Sequence, residues 1–217
     1  MKYFLKPVLV ILSALLIISC GSEQSTDEKT SIDSSQTTDS VKTLLPTNTK
    51  PVVDDTVAVK TLTKEILTSL KNNEYENLAS YFHPGSGVRF SPYAYIDTSN
   101  DVRLSADEFT KAIKSNQKFT WGHADGSGDP IKLTIPEYFK KFVYNADFLS
   151  AEKTAVNKMI GGGNSINNLE KTYPDALFTE NFDAGKHEMA WSSLRLVFKK
   201  EAGKFYLIGI VHDQWTI

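Results

Sequence analysis

The sequence predicts an α+β protein, N-terminal helices followed by a mostly antiparallel sheet, behind a signal peptide and a disordered tether. Three patterns carry that expectation. Val59, Leu62, Ile66 and Leu70 recur at helical spacing. Val88, Phe90, Pro92, Ala94 and Ile96 alternate with Arg89, Ser91, Tyr93, Tyr95 and Asp97, as in a strand with two different faces. Residues 205–211 (FYLIGIV) are apolar on both faces, as in a central strand.

The first 19 residues read as an export signal. Lys2 and Lys6 give it a positive start, and residues 7–18 (PVLVILSALLII) form an uncharged apolar core. That core is too short for a bilayer-spanning helix, which needs roughly 20 residues. It ends in Ile17-Ile18-Ser19-Cys20-Gly21, which resembles the bacterial lipobox: a branched aliphatic residue, a small residue, then the cysteine that takes the lipid. Cys20 is the only cysteine in the chain. One acyl chain binds a membrane only marginally, at about 0.8 kcal/mol per buried methylene, so the two or three chains of a mature lipoprotein anchor it stably. The expected address is the bacterial cell envelope, facing the periplasm or the exterior. Acylation of Cys20 leaves no thiol for a disulfide or a zinc site.

Residues 20–55 are rich in Ser, Thr, Asp, Glu, Gln and Lys and carry no aromatic side chain, a composition that cannot bury enough apolar surface to fold. They read as a flexible linker with an r.m.s. span of roughly 30–35 Å. Residues 56–217 then form one domain.

Within the domain a first helix is expected over 56–71 and stops at Asn72-Asn73. Asn73 and Glu76 have capping-box spacing for a short second helix through Phe82, which His83-Pro84-Gly85 ends. The alternating strand covers 88–97, with Pro92 marking an edge or a bulge. Ser105 and Glu108 form a second capping box, and Thr134 and Glu137 a third; a hairpin of 119–123 with 131–134 lies between them. The stretch 150–190 reads as a strand near 152–160, a loop at 161–164, a short helix near 166–172 and a strand near 176–182. A hairpin of 194–199 and 204–211 closes the domain, its last strand central.

Residues 70–82 (LKNNEYENLASYF), followed by a strand, resemble the opening of nuclear transport factor 2-like domains, the superfamily that includes ketosteroid isomerases. The terminal hairpin with its GKFYLIGIVH ending resembles the closing strands of the same superfamily. Residues 87–97, Thr120-Trp121-Gly122, 194–198 and the ending His212-Asp213-Gln214-Trp215-Thr216-Ile217 also look like an uncharacterised group of bacterial secreted proteins and lipoproteins. The superfamily resemblance implies helices packed on a curved sheet around a cone-shaped pocket. Such pockets serve enzymes, ligand binders and dimerisation modules alike, so the resemblance implies no single function.

Several chemistries find no support. Without Lys2 and Lys6 the 24 basic residues fall to 22 against 26 acidic ones, and no basic patch interleaves with aromatics, so no nucleic-acid partner is expected. The loop from Asp125 to Asp129 begins like a calcium loop, but Pro130 and Pro136 stand where an EF-hand needs Gly and Glu; it reads as a hairpin turn. Gly161-Gly162-Gly163-Asn164 lacks the P-loop lysine. His83, His123, His187 and His212 show no i, i+4 pair, and no metal or cofactor is expected. No catalytic residue is assigned. Candidate pocket residues are Arg89, Tyr93, Tyr95, Trp121, His123, Arg195, His212 and Asp213. His212 and Asp213 are adjacent on a strand and are therefore expected on opposite faces. The expected role is a lipid-anchored module that binds a small molecule, an envelope polymer or an envelope protein. The alternative is a small-pocket enzyme using His, Tyr and Asp for acid–base chemistry.

Overall fold

The computed structural model describes residues 54–163, 166–187 and 189–216. The expected signal peptide, Cys20, nearly all of the linker, and Asn164 of the glycine loop lie outside these residues. Everything described belongs to the unit Thr49–Ile217, and its buried hydrophobic residues run from Val59 to Val211. The unit therefore carries its own core, the condition for folding independently.

Helix α1 (Asp55–Lys71) starts where the Asp54 carboxylate accepts a hydrogen bond from the Thr56 amide. It buries Val59, Ile66, Leu67 and Leu70, so the helical spacing found in the sequence is its core face. The expected capping box at Asn73 is not formed. Asn73 adopts a left-handed conformation (φ 59°), its side chain accepts from the Tyr75 hydroxyl at 2.6 Å, and Glu74 precedes the short helix α2 (Tyr75–Leu78) without a side-chain cap. Asparagine tolerates that backbone region better than other non-glycine residues, which makes Asn73 a turn residue here.

Six strands form the main sheet: β1 (Val88–Ser91), β2 (Arg103–Leu104), β5 (Lys153–Val156), β6 (Leu177–Asp183), β7 (Ser192–Glu201) and β8 (Lys204–Gln214), in the order β2-β1-β8-β7-β6-β5. All neighbours are antiparallel except β1 and β8, which run parallel. The apolar strand β8 lies inside the sheet, as its composition requires. β3 (Lys118–His123) and β4 (Pro130–Thr134) form a separate hairpin. Helices α3 (Ala106–Ser115) and α4 (Ile135–Tyr138) both open with complete capping boxes, from Ser105 with Glu108 and Thr134 with Glu137; α4 continues into a wider turn over Phe139–Val143.

The strand expected over 88–97 is cut to β1. Pro92 has no N–H to extend the ladder, and its carbonyl accepts from the His212 ring at 3.1 Å instead of from a neighbouring strand. The alternation continues as burial alone: Ala94 and Ile96 are buried while Tyr95 is 54% exposed. Likewise β5 is shorter than the expected 152–160. Asn157 turns the chain with φ 50°, and its side chain accepts from the Phe178 amide at 2.9 Å. The chain from there through α5 (Leu169–Thr172) packs Met159, Leu169, Tyr173 and Ala176 over one face of the sheet, against Phe178, Val197 and Val211.

The other face meets the helices through a larger core. Trp121 stacks on Tyr138 at 3.9 Å between ring centroids, and Phe90 packs edge-on to Trp121 at 5.6 Å and tilted on Phe139 at 5.8 Å. These rings form the middle of the helix-side core. The sheet thus separates two layers, and a side chain's parity on β6, β7 or β8 decides which one it enters.

Candidate functional site

The eight candidate residues fall into four places. Tyr93, Tyr95 and His123 line one surface cleft of about 510 Å³, together with Pro92, Asp97, Asn100, Asp101, Thr120 and Gly122. It lies between the connection from β1 to β2 and strand β3. Its existence depends on Pro92 releasing the chain from the sheet. It also depends on Gly122, where φ is +129° and a Cβ would sit 3.3 Å from the Pro92 ring.

One side of the cleft is a tightly bonded turn. The Asp97 carboxylate accepts from the Ser99 amide at 2.9 Å, the Asn100 amide at 3.1 Å and the Asn100 side chain at 2.7 Å, and these bonds hold its carboxyl below the usual carboxylate range. Arg89 braces the turn from its backbone side, with its guanidinium donating to the carbonyls of Asp97 (3.3 Å) and Asp101 (3.4 Å). Asp101 then points back across the turn. Its Oδ2 accepts from the Ser91 hydroxyl at 2.5 Å and from the Asp97 amide at 3.0 Å. Its other oxygen makes no hydrogen bond among the described residues. Burial pushes the Asp101 carboxyl up to about 6, against the lowering effects of the Ser91 and Asp97 hydrogen bonds and the Arg89 charge.

The opposite side is aromatic and open. The Tyr93 ring packs edge-on to Phe142 at 5.8 Å, and its hydroxyl accepts from the Asp125 amide at 3.1 Å while keeping its own proton to donate. Tyr95 stands out into solvent, and His123 is exposed at the end of β3, next to a break in the hairpin register between Thr120 and His123. The cleft therefore presents two aromatic rings, a hydroxyl donor, an imidazole and a carboxylate oxygen, with almost no aliphatic lining. Among the described residues no three His, Cys, Asp or Glu side chains converge as metal ligands.

The remaining candidates are elsewhere. Trp121 is fully buried in the helix-side core, its indole N–H donating to the Leu133 carbonyl at 2.8 Å. His212 enters the same core: Nδ1–H donates to the Pro92 carbonyl, the ring packs edge-on to Phe142 at 5.9 Å, and Nε2 is buried with no partner. Burial pulls its pKa down to about 4, so the ring is neutral. Asp213 faces the opposite layer, where it accepts from Arg195 at 2.8 Å.

Arg195 belongs to a buried ionic group that includes a residue the sequence reading missed. Glu180 on β6 is its register partner on β7, accepting from the same guanidinium nitrogen at 3.0 Å. The Glu180 carboxylate also accepts from the Ser193 hydroxyl (2.5 Å) and from the Ile160 and Gly161 amides (2.6 and 3.1 Å). It thereby ties the chain after β5 to the sheet, which is a structural task. Burial raises the Asp213 carboxyl, partly opposed by the Arg195 charge. Asp101 was the other omission, lost in a polar run that reads only as a loop. The signal available was its spacing from Asp97, two carboxylates flanking Thr-Ser-Asn shortly after Tyr93 and Tyr95.

No protein-family model matches the chain, and no curated protein sequence matches it.

Proposed function

We propose that the protein is a lipid-anchored component of a bacterial cell envelope, held at the membrane through Cys20, whose folded unit binds a hydroxyl-rich ligand, an envelope glycan, in the cleft of Tyr93, Tyr95 and Asp101. The cleft's composition carries this reading. Aromatic faces stack on the apolar faces of sugar rings, and planar polar side chains answer the hydroxyls around them. Tyr95 offers an exposed ring beside Asp101, whose free carboxylate oxygen accepts from a ligand hydroxyl. The volume of about 510 Å³ falls within the range of small-ligand sites, roughly 300–1,000 Å³.

A glycan array probed with the unit 49–217 and its variants tests the cleft. Tyr95→Ala should weaken binding about three- to tenfold, the worth of an aromatic contact. Asp101→Ala should weaken it about tenfold or more, the worth of a hydrogen bond to a charged group. Binding that both variants retain in full would remove the cleft from the proposal. For the anchor, Cys20→Ser should move the protein from membrane to soluble fractions of the cell.

One observation favours the acid–base alternative: Asp101 is held near 6 in a cleft it shares with Tyr93 and His123. Under that reading Asp101→Asn keeps ligand binding and abolishes turnover of the bound glycan.

A further inference from the structure

A second concavity, independent of the cleft, lies between α1 and the β5–β6 end of the sheet, an open groove of about 250 Å³. One wall is a single stripe of α1, from Lys60 through Lys64 to Leu67. At 1.5 Å of rise per residue, that stripe covers roughly 10 Å along the helix. Leu67 is buried, and the groove's apolar lining is completed by Phe148, Leu149 and Val156. At the base the hydroxyls of Thr63 and Thr179 engage each other at 2.8 Å.

The chemistry of the groove is graded. Lys60 and Lys64 are exposed, stand one helical turn apart on the same wall, and make no ion pair among the described residues. Leu67 lies one turn further along, on the side of the groove's apolar lining. A groove that is cationic at one end of a helix stripe and apolar at the other complements a molecule with an anionic head and an aliphatic tail. Its volume lies below the range of drug-sized sites, so it accommodates the head and the adjoining part of one chain rather than a two-chain lipid.

We propose that this groove binds a single-chain anionic amphiphile, a free fatty acid, with its carboxylate between Lys60 and Lys64 and its chain running past Leu67 towards Phe148, Leu149 and Val156. The two lysines select the head by charge-assisted hydrogen bonds, and desolvation of the chain supplies the remaining affinity.

The test is an amide ¹⁵N–¹H NMR titration of the unit 49–217 with three probes of equal chain length, each kept below self-association: decanoate, decanol and decyltrimethylammonium. Decanoate should shift the amides of Lys64, Leu67, Val156 and Thr179 and bind roughly tenfold more tightly than decanol, the worth of a charged hydrogen bond. Lys60→Glu combined with Lys64→Glu should reverse the preference toward the cationic probe; both side chains are exposed, and the same spectra report whether the fold is intact. Equal affinity for all three probes would overturn the proposal, since it denotes apolar contact without head selection. So would shifts that charge reversal leaves unchanged, or decanoate shifts confined to Tyr93, Tyr95 and His123. Broadening of the groove signals with protein concentration alone would assign the groove to a second copy and end the proposal as well.

Discussion

Asp101 and His212 are shifted from their ordinary pKa values in ways whose effects on stability oppose each other. The Asp101 carboxyl is raised in the folded state to about 6, so the native protein binds that proton more tightly than the unfolded chain. Stability from this group is therefore greatest below the ordinary carboxylate pKa and falls as pH rises through about 6. His212 is depressed to about 4, so the unfolded chain takes the proton first, and stability from this group falls as pH drops from the ordinary histidine value towards 4. In Asp101→Asn the first effect disappears. Urea denaturation between pH 4 and 7 should then show the His212 effect with less opposition, a loss of about 3 kcal/mol over that window. The wild type should show a shallower profile, and identical profiles would refute the assignment. Neither effect was legible in the sequence. The alternation of residues 88–97 shows which side chains are buried, and Pro92 marks an irregularity, but which groups Asp101 and His212 meet there depends on contacts distant in sequence.

Parity is decisive among the secondary-structure elements. Glu180, Arg195 and Asp213 enter one layer because they share a face of β6, β7 and β8, while His212 enters the other. Removing one member of a buried ionic group leaves the others unpaired, at about 3–5 kcal/mol. Arg195→Met should lower the unfolding free energy by that order in denaturant titration. Restoring neutrality with Glu180→Gln and Asp213→Asn in the same chain should recover much of the loss. The β7–β8 hairpin offers a gain. Ala202 occupies a left-handed position (φ 49°) before Gly203 (φ 78°), the pattern that favours Asn-Gly. Ala202→Asn should stabilise the protein by about 0.5–1 kcal/mol, seen as a higher denaturation midpoint. These elements were the most legible part of the chain. The capping boxes at Ser105 and Thr134, the β3–β4 and β7–β8 hairpins and the central position of β8 each follow from a local signature. The Asn73 box and the long first strand did not form, because one asparagine took a left-handed turn and one proline lacked a donor.

For the whole molecule, core and surface concavities separate by location. The helix-side face of the sheet is packed at its middle by Phe90, Trp121, Tyr138 and Phe139. The cleft and the α1 groove lie towards the β1 and the β5–β6 sides of the sheet. Of the candidate residues, Tyr93, Tyr95 and His123 share one of these. Trp121 and His212 serve the core, Arg195 and Asp213 the opposite layer, and Arg89 braces the Asp97 turn. The sequence could nominate polar and aromatic residues near strand ends, but which of them meet depends on register and on the two-residue strand β2, whose brevity leaves no periodic signal. Recognition of an envelope glycan is proposed for the surface cleft. The most direct test is an amide ¹⁵N–¹H NMR titration of the unit 49–217 with soluble fragments of digested peptidoglycan. Glycan binding in the cleft should shift the amides of Tyr93, Tyr95, Asn100, Thr120, Gly122 and His123, and Tyr95→Ala should diminish those shifts. Shifts centred on Ile66, Phe198 and Ile210 in the helix-side core, or none anywhere, would contradict it.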